Sequence, residues 1–171
     1  MSHANALLVD GFGRVRENVH AVVDGLTRTQ LVHRLDPAAN TIAWLVWHLT
    51  RVQDDHVADL AGDQQVWLRD GWVDRFGLPF GPREHGYGHT AEQVAAVDVP
   101  PDLLLGYHDA VHARTVAYVE RIEEQELDDV VDESWDPPVT RAVRLVSVMD
   151  DDMQHVGQAA FVRGVVERLG V

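Results

Sequence analysis

In the stretch MDDDMQHVGQAAFVRG, which runs from Met149 to Gly164, Asp151 and His155 stand four residues apart. On an α-helix that spacing stacks two side chains on one face, so a carboxylate oxygen and an imidazole nitrogen could reach one cation. Catalytic zinc-type centres take three protein ligands and keep one position open for water or substrate. The third ligand must come from another element, and His48, in NTIAWLVWHLTRVQDDH, is the best-placed candidate. Gln158 lies one further turn along the same side of the helix, and Arg163 two turns beyond His155. The run Asp150, Asp151, Asp152 leaves a choice open, because Asp152 is three residues from His155 and could ligate in place of Asp151. Crowded carboxylates also point to a cation, since a buried one needs a partner. A second pair, His108 and His112, has the same four-residue spacing, but no third ligand recommends itself. His85 and His89 sit in a glycine-rich segment and are alternative ligands or substrate contacts.

Four elements must position these residues. Leu8, Phe12, Val15, Val19, Val22 and Leu26 alternate steps of four and three, which predicts a helix over about residues 4–30. Asp36-Pro37 breaks it. A second helix starts at Asn40 or Thr41 and runs to about Ala61, with Gly62 as its stop. His48 lies beside its apolar stripe, one turn after Trp44. Trp67 and Trp72 suggest a short helix, and the segment DRFGLPFGPREHGYGHT then reads as a long irregular connection able to lie over a pocket. It is no phosphate loop, having neither the G-x-x-x-x-G-K-[ST] spacing nor a preceding strand. Pro100-Pro101 sets up a third helix through Leu104, Tyr107, Val111, Thr115, Tyr118 and Ile122. The acidic run EEQELDDVVDE reads as a solvated helix end and loop, with only Asp129–Val131 strand-like. Thr140 is an available N-cap for a fourth helix reaching about Leu169. The expected fold is all-α: one domain over residues 1–171, a four-helix bundle with a long crossover between the second and third helices.

Composition narrows the chemistry. The 171 residues contain no cysteine, which excludes disulfides, thiolate ligands and a cysteine nucleophile, so any reacting thiol must come from a substrate. All fourteen basic residues are Arg, as GC-rich coding would give, and Schiff-base lysine chemistry is excluded. A net charge of −14 argues against nucleic acid or an anionic membrane as partner. No apolar run approaches the roughly 20 residues of a membrane helix. The N-terminal residues lack the pattern of a signal peptide, so a cytoplasmic protein is expected.

NTIAWLVWHLTRVQDDH and DDDMQHVGQAAFVRG together resemble the DinB/YfiT-like superfamily of metal-binding four-helix bundles. The closer resemblance is to its actinobacterial branch of mycothiol S-transferases and, at greater distance, mycothiol-dependent maleylpyruvate isomerase. The segment DRFGLPFGPREHGYGHTAEQVAAV is also similar to that branch. The resemblance implies a ligand pattern H…(D/E/H)xxxH, carried here by His48, Asp151 and His155. Asp151 stands where many relatives have His and the isomerase has Glu; its carboxylate is one methylene shorter than Glu, so ligation could be direct or through water. A mixed N,N,O set suits zinc, with nickel, iron and manganese as alternatives.

The implied activity is a detoxifying metal-dependent S-transferase. It would activate a low-molecular-weight thiol, mycothiol, as a thiolate for attack on an electrophile such as an epoxide, an activated halide or an α,β-unsaturated compound. Gln158 and Arg163 would contact the thiol's polar groups, Trp44 and Trp47 would shape the pocket, and His89 would touch substrate. Two other readings use the same cluster. One is a hydrolase with a metal-activated water and Asp54 or Asp55 as base. The other is a non-catalytic metal-binding or stress-response bundle, able to pair as a homodimer through an exposed helix face.

Overall fold

A computed structural model describes residues 2–171. Helix α1 spans His3–Val23, with the Ser2 side chain accepting from the Asn5 amide. It stops short of the expected end near residue 30. Gly25 takes a positive φ of 79°, and Thr27 then caps a separate helix, α2 (Arg28–Leu31), through a capping box with Gln30. Both local devices outweigh the continuing apolar spacing, because each satisfies backbone groups that a helix end leaves open.

Helix α3 (Ile42–Ala61) starts on Thr41, whose hydroxyl accepts from the Trp44 amide, and ends on left-handed Gly62. Every residue from Ile42 to Arg51 is buried, so this half has no solvent face. The reason is the crossover that follows, which covers the side of α3 turned away from the other long helices. It contains α4 (Val66–Arg69), α5 (Trp72–Phe76), an irregular stretch over residues 77–90 and α6 (Ala91–Ala96).

Helix α7 (Pro101–Val119) enters through Pro at its first position, where a missing N–H costs nothing. The acidic segment is more ordered than expected. Glu124–Asp128 forms a 3₁₀ turn, and β1 (Val130–Asp132) pairs antiparallel with β2 (Val139–Thr140). Helix α8 (Arg141–Leu169) begins on the Thr140 cap and ends at left-handed Gly170. The long helices pack in a ring, α1 on α7, α7 on α3, α3 on α8 and α8 on α1. Val15, Val19, Leu45, Leu49, Leu104, Val156 and Ala159 form the centre of the core. This is the all-α four-helix bundle with a long second-to-third crossover. Among the described residues no helix is long and apolar enough to cross a membrane.

Candidate metal centre

The α3–α8 contact brings His48, Asp151 and His155 together, and one ligand atom from each lies within 4.8 Å of the others. His48 is 6% exposed; Asp151 and His155 are half-buried. The two imidazole centroids are 4.8 Å apart. Trp44, one turn before His48 on α3, stacks on the His48 ring at 4.6 Å and 16° and meets His155 edge-on.

Both rings are oriented by their Nδ1 atoms. His48 Nδ1 donates to the backbone carbonyl of His85. His155 Nδ1 lies 3.2 Å from Gln158 Oε1, which can only accept. With the proton on Nδ1 in each case, both Nε2 atoms keep a lone pair, as metal-binding histidines do. His155 Nε2 is 3.5 Å from Asp151 Oδ1, and Asp151 Oδ2 is buried without a hydrogen-bond partner. Two lone pairs and a carboxylate thus converge with no donor among them. Acceptors face one another stably only around a proton or a cation.

The titration shifts follow from this arrangement. Burial, foremost, pushes the His48 pKa down. The Asp151 carboxylate, foremost, raises that of His155. Burial drives the Asp151 carboxyl up, but His155 and His48 more than offset it and hold it below its usual value. The cluster favours positive charge at its centre. A divalent cation fits its N,N,O donor set, the unpaired carboxylate oxygen and the fixed tautomers.

The crossover completes the site. Gly86 has φ +103°, and a Cβ there would lie 2.7 Å from His48 Nδ1 and 3.1 Å from the Trp44 and Trp47 rings. Only glycine lets the chain lie this close while presenting the His85 carbonyl. Arg51 Nε donates to the neighbouring Glu84 carbonyl at 3.1 Å. These loop contacts were outside the sequence reading, whose only trace of them was the density of glycine.

Several expected contacts take other roles. Trp47 is 1% exposed, so it is core and not a pocket wall. His89 is held among aromatic rings: its Nδ1 accepts from Trp44 Nε1 at 3.2 Å, and it stacks on Trp47 and meets Phe80 at a tilt, with Nε2 turned toward Glu84. It supports Trp44 and does not meet the cluster. Arg163 donates through Nη1 to the Ala21 and Asp24 carbonyls at 2.7 and 2.8 Å and through Nε to Glu167, clasping the end of α1. Asp152 faces the core, fully buried, and lies outside the cluster; burial and the Asp151 charge raise its pKa well above the usual range. His108 contacts the Thr50 hydroxyl at 3.1 Å, and burial lowers its pKa to about 3. Among the described residues it gathers no ligand set with His112. Asp54 accepts from the Val66 and Trp67 amides at 2.8 Å each, and Asp55 accepts from Gln65. Asp54 is thereby held at the start of α4, away from the cluster.

The sequence family described as Mycothiol-S-transferase matches residues 7–168. The crystal structure of a conserved protein from Enterococcus faecalis superposes with a TM-score of 0.90 at 34% identity, covering 97% of this chain and 98% of that one. No curated protein matches. The chain belongs to the mycothiol-S-transferase family, a DinB-like family.

Proposed function

We propose that this protein is a metal-dependent S-transferase that joins the sulfur of a low-molecular-weight thiol, mycothiol by family, to a small electrophile. The observation that carries the reading is the convergence of His48, Asp151 and His155 with no donor between them. His48 and His155 would hold a divalent ion through Nε2 and Asp151 through its carboxylate, with zinc the best match to an N,N,O set. Such an ion supplies one thing: it lowers the pKa of a thiol beside it and keeps the sulfur as the nucleophilic thiolate.

The chain's own residues do the rest. The His85 carbonyl and Gln158 fix the two rings, and Trp44 shields one face of His48 from water. Asp151 adds a negative charge that balances part of the cation's. In a displacement the new C–S bond replaces a carbon–halogen or carbon–oxygen bond and the thiol proton leaves with that group. In an addition it ends on the carbon next to the new bond. The absence of cysteine means that the only sulfur nucleophile is the substrate's.

Elemental analysis of untagged protein, beside Asp151→Ala and His155→Ala, tests the site. About one divalent ion per chain, lost in both variants, is expected. The loaded wild type should then conjugate mycothiol to 1-chloro-2,4-dinitrobenzene, and dialysis against a chelator should abolish turnover. Turnover indifferent to metal overturns the proposal. Bound metal without thiol turnover on any electrophile leaves a metal-binding bundle instead.

A further inference from the structure

Asp151 has a second environment. On the side away from Gln158 it forms part of the wall of a cavity of about 370 Å³ between α3, α8 and the β1–β2 hairpin. Val52, Val139 and Val148 line its walls, and the hairpin loop places Trp135 at its rim, 65% exposed. His56 and Arg144 form its polar end. Arg144 is a fixed cation: Nη2 pairs with Asp132 at 2.8 Å and Nη1 faces His56 Nδ1 at 3.4 Å. Burial, foremost, and this guanidinium lower the His56 pKa, and the permanent cation at that end is Arg144, held in place by its ion pair with Asp132. Beside Gln158, a separate cavity of about 450 Å³ is lined by Leu45, Phe161 and Val162 together with Asn40 and Gln158.

We infer that the Asp151-side cavity is the electrophile subsite, and that it takes a flat apolar molecule bearing a carboxylate. The inference rests on the S-transferase reading and divides its two substrates between the two cavities. A reaction between two molecules at one centre needs both held within reach of it. The second cavity, walled by Leu45, Phe161 and Val162 with the Asn40 and Gln158 amides beside them, leaves room for the thiol. Valine walls and an exposed indole suit an apolar body. The planar guanidinium, already oriented by Asp132, matches a carboxylate in geometry and charge. Arg144 and Trp135 are thus specificity-determining residues, and neither belongs to the metal cluster.

The probes are trans-cinnamate and its uncharged counterpart cinnamyl alcohol, titrated by NMR into metal-loaded wild type, Arg144→Gln and Ser147→Trp, with metal content measured on each sample. Ser147 lies on the cavity wall and hydrogen-bonds only within its own helix, so tryptophan there fills the space without removing a hydrogen bond made by Arg144 or by the metal cluster. Saturable cinnamate binding is expected, weakened roughly 10- to 100-fold by Arg144→Gln and lost in Ser147→Trp. Cinnamyl alcohol should be weaker and insensitive to Arg144, and metal content should be unchanged throughout. Absence of cinnamate binding to wild type overturns the inference. So does binding that disappears on chelation but ignores Arg144→Gln, since the carboxylate would then be on the metal. A protein that binds cinnamate through Arg144 yet holds no metal would sink the S-transferase reading and leave the subsite standing.

Discussion

Less than one turn apart on α3, His48 and Arg51 reach for adjacent carbonyls of the same loop, those of His85 and Glu84, yet they belong to opposite kinds of polar cluster. Around Arg51, donors meet acceptors. Asp54 receives the Val66 and Trp67 amides and the Tyr107 hydroxyl. Arg51 donates to Tyr107 at 3.2 Å and lies over the Trp67 ring, with one buried nitrogen, Nη2, left unmatched. Around His48, acceptors meet acceptors. Folding alone would select the first arrangement and penalise the second. The difference separates a cluster that holds the crossover to the bundle from one whose missing component has to be bound.

The largest expected effect breaks the closed cluster. Asp54→Ala uncaps α4 and leaves the Arg51 guanidinium buried without a counter-charge, which should cost about 3–5 kcal/mol in denaturant unfolding. Metal content of the folded fraction should stay at the wild-type value. A cost below about 1 kcal/mol, in the range of surface pairs, would show that the two clusters do not divide as described.

Gly86→Ala tests whether the loop tunes the open cluster. The new Cβ would meet His48 Nδ1 at a φ that L-residues rarely adopt. The His85 carbonyl should be displaced, and with it the group that fixes the His48 tautomer. Loss of such an outer partner typically weakens metal affinity about 10- to 100-fold, measurable by competition with a chromophoric chelator. Wild-type affinity in this variant would make the His85 contact incidental.

The long helices were legible because their signals are local. Thr41, Gly62, Pro101 and Thr140 mark ends by satisfying or sparing backbone groups of their own helix, and the apolar spacing between them is set by helix geometry. The convergence of His48 with Asp151 and His155 was legible in outline, since four-residue spacing puts two of them on one face. What the pattern could not carry was set by tertiary contact. The division at Gly25 and Thr27 overrode a continuous stripe. The burial of the first half of α3 on all sides depends on a crossover with no periodicity of its own. The β1–β2 pairing, two and three residues long, is too short to leave an alternating signature. Arg163 and His89 carry side chains suited to binding, but whether a guanidinium or an imidazole meets a ligand or a neighbouring carbonyl is decided by packing.

The smallest expected effect lies at Gln158, the exposed partner of His155. Its amide oxygen accepts from His155 Nδ1, and with Asp151 it raises the His155 pKa. In Gln158→Leu that acceptor is gone, so the metal-free His155 pKa should fall, which histidine NMR would record. Metal and proton compete for the same Nε2, so affinity declines as pH drops through the His155 pKa. Lowering that pKa moves the decline to lower pH. Above it, the looser ring should bind metal less tightly, by about tenfold. The two affinity curves should therefore lie closer together in mild acid than at neutral pH. A uniform offset across the range would mean that Gln158 only steadies the ring and has no part in its protonation.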